Sequence, residues 1–188
     1  MKVKKIALLL ALALLLTGCG KSKEKTEADE VVYRDITISE TQNEFLALED
    51  GFLTKDDEGV KDIKKNDDGS LTYTLSEELI EEFKEVTTED TDKLIKDFTE
   101  NKESYPAFYT ITYNDELTKF TIGVDPVEFQ EIDEEYASIL FAYGNLYQLF
   151  DGVVDEDLQT SIIFVNKDTE QELKTIVSTD FHEEVLPQ

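Results

Sequence analysis

The chain has 188 residues, 18 basic side chains against 44 acidic ones for a formal net charge of −26, one cysteine, one histidine and no tryptophan. That balance excludes nucleic acid as a partner and electrostatic docking on anionic lipid, since both need positive patches that displace counterions or meet head groups. A single cysteine excludes an intrachain disulfide, so packing must stabilise the fold.

At the start of the chain, Lys2, Lys4 and Lys5 precede an unbroken apolar run from Ile6 to Leu16, followed by a small-residue step into Cys19. Basic region, apolar core and cleavage step come in the order of an export signal. The apolar run is well short of the roughly 20 residues that a membrane-spanning helix needs. The Leu16-Thr17-Gly18-Cys19 step resembles the lipobox of bacterial lipoproteins. The resemblance covers the signal alone. It implies cleavage between Gly18 and Cys19, a diacylglycerol on the Cys19 sulfur, and a protein held on the extracytoplasmic side of the cell membrane. The acidic, lysine-rich, cysteine-poor composition suits a Gram-positive surface lipoprotein.

Removal of residues 1–18 takes away three lysines and leaves 15 basic residues against 44 acidic, a net charge of −29. Membrane attachment then has to come from the acyl chains. The remaining length suits one well-buried domain. Residues 19–30 carry charge without a large apolar group and read as the lipidated cysteine and a flexible tether, with residues 31–188 as a single domain.

Val31 to Ser39 reads as a first strand, and Thr41 to Asp50 as either a short helix or an apolar loop. Asp67-Asp68-Gly69 signals a turn between Val60 to Lys65 and the alternating run Leu71, Tyr73, Leu75, which makes a hairpin. Ser76 is a natural N-cap, with Glu77 and Glu78 complementing the helix dipole behind it. The apolar spacing from Leu79 to Phe98 predicts a helix from Glu77 to about Asn101, with a break near Thr88 allowed by its polar middle. Tyr105-Pro106 ends that region, and a second hairpin turns at Asn114-Asp115 between alternating runs.

Asp125-Pro126 predicts the start of a second helix that runs to Phe150 and stops at Gly152. Its latter part, from Ile139 onward, is apolar nearly all round and must be buried. Gly144 in its interior costs about 1 kcal/mol relative to alanine, so something should pack closely there. Ile162 to Val165 predicts a strand buried on both faces, returned by a turn at Lys167 to Thr169 into Leu173 to Ser178. These elements predict an α+β domain of two layers, an antiparallel sheet built from hairpins with two long helices packed on one face. Thr72, Thr74, Thr110, Thr112 and Thr121 would leave the opposite face partly solvated.

No residue pattern points to catalysis, a cofactor or a metal. His182, the lone histidine, cannot assemble a zinc site or serve a nucleophile from a polar tail. Asp151, Asp155 and Asp157 cluster in one loop, as do Asp56, Asp57 and Glu58, but neither cluster has the spacing of a calcium-binding loop. Tyr136, Tyr143 and Tyr147 recur at helical spacing, and Tyr143 and Tyr147 are the candidate contacts for a protein partner at the cell envelope. The reading reached from sequence is a non-catalytic binding or interaction lipoprotein, with a small-ligand or calcium-binding lipoprotein as the alternative.

Overall fold

The computed structural model describes residues 31–46 and 52–180. Gly18, Cys19 and the tether, and His182, lie outside the described residues. Strand β1 (Tyr33–Ile38) is followed by the short helix α1 (Glu40–Phe45), the hairpin of β2 (Val60–Lys65) and β3 (Leu71–Ser76), and the long helix α2 (Glu77–Glu100). A second hairpin, β4 (Phe108–Tyr113) and β5 (Lys119–Val124), leads through α3 (Glu131–Ala137) and α4 (Ile139–Asp151) to a closing hairpin of β6 (Ser161–Asn166) and β7 (Glu172–Val177).

The α+β class and the two helical blocks are as the patterning predicts. The strands, however, form two sheets rather than one, in the orders β1-β3-β2 and β4-β5-β6-β7. The second sheet is not purely antiparallel, because β5 and β6 pair in parallel from Lys119↔Ser161 to Val124↔Asn166. Alternation specifies which side of a strand is buried but not which strand lies beside it. The connection through α3 and α4 is long enough to carry the chain back to the same end of the sheet, which a parallel pair requires.

Local signals mostly act where they stand. Gly69 adopts φ 89° in the first hairpin turn. The Ser76 hydroxyl accepts a 3.3 Å hydrogen bond from the Leu79 N–H and caps α2. Helix α2 runs unbroken through Thr88. The hydroxyls of Thr87, Thr88 and Thr91 donate to the carbonyls four residues earlier, so the polar middle is satisfied within the helix. The second helical block starts later than Pro126 and is split. Residues 125–129 form a turn in which Phe129 packs on Phe164 at 4.8 Å, and α3 begins at Glu131 behind a Gln130–Asp133 capping box. At Ser138 the hydroxyl donates to the Glu135 carbonyl, a local bond that competes with the helical ladder at the α3–α4 junction.

Two hydrophobic cores result, and α4 belongs to both. Leu140 and Phe141 join the second sheet and Phe98 of α2, whereas Ala142, Leu146, Leu149 and Phe150 join the first sheet with Ile80 and Phe83 of α2. A helix enclosed in this way has to be apolar around its whole circumference. Phe83 and Phe150 stack at 4.7 Å between centroids and tie α2 to α4. In the second sheet only one face is dry: Ile162 and Phe164 are fully buried, but Ile163 and Val165 are half-buried, so β6 is not buried on both faces. The threonines on the outer faces are half-buried or exposed.

Candidate functional site

Of the strands that border the two sheets, β2, β4 and β7 each carry an interrupted register. Lys61, Tyr109 and Leu173 are the extra residues, each on the edge strand itself. Bulges of this kind twist an edge away from further pairing, and the lysines of β2 add a charge barrier. Strand β1 has neither device. It pairs with β3 through six consecutive residues without a shift and contains no lysine.

The phase of that pairing determines which backbone groups face outward. The Glu77 N–H donates to the Val32 carbonyl, so hydrogen-bonded pairs fall at Val32 and every second residue after it. The N–H and C=O groups of Tyr33, Asp35 and Thr37 therefore point away from β3. Among the described residues, none of these groups takes part in a hydrogen bond from outside its sheet.

A groove of about 440 Å³ runs beside this edge, between β1 and the loop that follows α4. Ile36, Leu149 and Val153 contribute apolar lining, Thr37, Ser39 and Ser70 contribute hydroxyls, and the charged lining is acidic: Asp35, Asp68, Asp155 and Glu156. Among the described residues, no lysine or arginine lines it. Thr74 donates a 2.6 Å hydrogen bond to Asp35, and the Ser70 hydroxyl and N–H both donate to Asp68, which holds the Asp68 carboxyl below its usual range. Oδ1 of Asp155 is buried without a partner among the described residues.

Arg34, the chain's single arginine, organises the ground around the groove. From β1 its guanidinium donates to the carbonyls of Phe150 and Asp151 at 3.1 Å, and to Glu77 at 3.3 Å. It thereby closes the carboxyl end of α4, where a cation meets the negative end of the helix dipole, and ties that helix to Glu77 at the start of α2. Gly152 adopts φ 97° beside it, and a Cβ there would lie 2.8 Å from the guanidinium nitrogen Nη1. A lone arginine in a lysine-rich chain reads from composition as bias rather than chemistry, and the three partners of Arg34 correct that reading.

The sequence candidates separate in space. Asp151 pairs with Lys84 at 2.7 Å, and this bond, more than any other contact, raises the Lys84 ammonium above its ordinary range. Asp57 accepts from the N–H and hydroxyl of Thr54 in its own loop. Among the described residues, no group of three carboxylate, histidine or cysteine side chains is placed to hold a metal ion. Tyr143 is 9% exposed, and burial raises its phenol above the usual range. Tyr147 is half-buried with the Lys84 ammonium 5.3 Å from its ring centre. Lys84 belongs to α2, so this side of α4 is occupied by that helix and offers a partner little surface.

Behind the groove, α4 approaches the second sheet through a buried polar network. Gln148 donates to the Thr160 hydroxyl at 2.9 Å, Thr160 donates to Asn145 at 2.9 Å, and the Thr160 N–H donates to Ser178 at 3.0 Å. Gly144 lies against this network, as its position in the helix predicts, with Thr160 and the Leu117 carbonyl in its way. Among the described residues, no helix is long and apolar enough to cross a membrane. Comparison of the chain with family models, with curated proteins and with solved structures gives no match.

Proposed function

We propose that the protein is a lipid-anchored, extracytoplasmic binding module without catalytic activity, which engages a protein at the cell envelope through the groove beside β1. One observation carries the reading: an unbulged edge strand with outward backbone groups, flanked by a groove with apolar and acidic lining. Edges of this type are ready templates for association, and the other three edge strands are each interrupted by a bulge. The export signal and Cys19 support placement at the outer face of the membrane, where a domain on a short tether meets other envelope proteins.

The test is site-specific photo-cross-linking in cells that carry the lipidated chain. A photoreactive residue replaces Val154 at the groove, and a second variant carries it at Glu82 on the exposed side of α2. A discrete protein adduct from position 154 that is missing from position 82 is the expected result. Equal labelling from both positions, or none from either, overturns the groove as the binding site. Mass spectrometry of the same material is expected to find a diacylglyceryl-modified Cys19 at the amino terminus, and any other terminus refutes the anchor.

A further inference from the structure

We infer that the partner contributes an extended segment of alternating apolar and basic residues, which adds to β1 as a fourth strand of the first sheet. This inference rests on the binding-module reading above. Three features on different levels converge on it. The backbone supplies the hydrogen-bonding row: the outward N–H and C=O groups of Tyr33, Asp35 and Thr37 match the every-second-residue repeat of an added strand, which would lie about 4.8 Å away. The side chains supply the pattern. On β1, Ile36 and Ile38 are buried on the core side, while Asp35 and Thr37 are exposed on the other. An incoming strand has the same two faces, one beside the apolar lining of Ile36, Leu149 and Val153 and one beside Asp35.

Charge supplies the third feature. The charged residues that line the groove are Asp35, Asp68, Asp155 and Glu156, with no lysine or arginine in the lining among the described residues, and Arg34 beside it is already committed to Glu77 and two helix carbonyls. A neutral or acidic strand would bring no counter-charge to these carboxylates, whereas lysine or arginine at alternate positions meets them. The same charge opposes a second copy of this chain as occupant, because antiparallel pairing of β1 with β1 would bring two acidic grooves together on molecules of net charge −26.

The test uses the mature chain, residues 19–188 with Cys19→Ser, and a fluorescein-labelled peptide of about eight residues alternating valine and lysine, near the usual strand length. Two twins carry N-methyl groups on either the valine or the lysine amides, and a third has glutamate for lysine. Fluorescence anisotropy reads binding, and amide hydrogen exchange by NMR reads the backbone of β1. Strand addition predicts that one N-methylated twin, and not the other, binds at least roughly tenfold more weakly, since only alternate amides face β1. It also predicts that the glutamate twin does not bind and that the amides of Tyr33, Asp35 and Thr37 slow on binding. Binding that ignores both N-methyl sets and leaves those amides unprotected overturns the strand but leaves the groove as a cation-binding site. Absence of binding overturns the inference, while cross-linking from position 154 judges the module reading separately. The inference also fails if those amides are already protected in a dimer seen by sedimentation, or if a peptide of residues 20–30 protects them, since the occupant is then a second copy or the chain's own tether.

Discussion

Replacement of Gly144 by alanine sets two opposing effects against each other. In an isolated helix the change stabilises by about 1 kcal/mol, because alanine loses less conformational freedom than glycine. In this fold the new Cβ would lie 2.4 Å from the Thr160 hydroxyl oxygen, 2.5 Å from the Leu117 carbonyl oxygen and 2.7 Å from the Thr160 methyl carbon. Neither neighbour yields cheaply. The carbonyl is main chain, and Thr160 is fully buried with its hydroxyl and N–H engaged by Asn145, Gln148 and Ser178. Overpacking of a tight core costs about 1–3 kcal/mol. Displacing Thr160 loses one or two hydrogen bonds of about 1 kcal/mol each. The net effect of Gly144→Ala is a destabilisation of about 2 kcal/mol, or a fall in Tm of roughly 4–8 °C for a domain of this size. Thermal melting followed by circular dichroism, with urea midpoints as a second measure, reads this directly. Thr160→Ala removes one obstacle and leaves the Leu117 carbonyl, so the double variant should show coupling of about 1 kcal/mol between the two positions yet remain below Thr160→Ala alone. An unchanged or raised Tm for Gly144→Ala would refute the argument that close approach of α4 to the second sheet selects glycine here.

Arg34→Lys should destabilise by about 1 kcal/mol and Arg34→Ala by about 2, because a single ammonium cannot reproduce the fork that reaches two helix carbonyls and a carboxylate; equal stability of wild type and Arg34→Lys by urea denaturation would show that charge alone suffices. Tyr113 donates a 2.6 Å hydrogen bond to Asp92, and burial together with that bond pushes its phenol up to about 12. A folded value above the unfolded one of roughly 10 means that this contribution is fully present below pH ~10 and is lost as pH rises through about 12. Tyr113→Phe should therefore flatten the alkaline fall in stability over that window, and a wild-type and variant pair with parallel pH profiles would contradict the assignment.

Much of the local architecture was legible in the residues themselves. Asp67-Asp68-Gly69, Ser76 and Gly152 act as turn, N-cap and C-cap because each satisfies a requirement of the backbone within a few residues of its own position. The all-round apolarity of α4 announced burial, and Gly144 announced a close neighbour, since both carry a cost in water or in a bare helix that only packing offsets. Other features depended on what the chain brings alongside. Neither the alternation in β5 nor the apolar run in β6 specifies a parallel or antiparallel neighbour, and the division into two sheets depends on α4 serving a core on each side. The turn at residues 125–129 reflects the fit of Phe129 on Phe164, a long-range contact with no local signature.

The candidate site shows the same division. That the chain is acidic and that β1 forms a strand are properties of its residues. That β1 is an unbulged edge, that Tyr33, Asp35 and Thr37 turn their backbone groups outward, and that the loop after Gly152 lines a groove beside them depend on strand order and pairing phase. Likewise Arg34 was visible from the first as the one arginine, while its partners Glu77, Phe150 and Asp151 lie far along the chain and meet it only because β1, α2 and α4 converge. Sequence determines which backbone and side-chain groups must be satisfied. Tertiary structure alone decides which of them are left facing outward, because satisfaction across a sheet or a core depends on residues that no local pattern brings together.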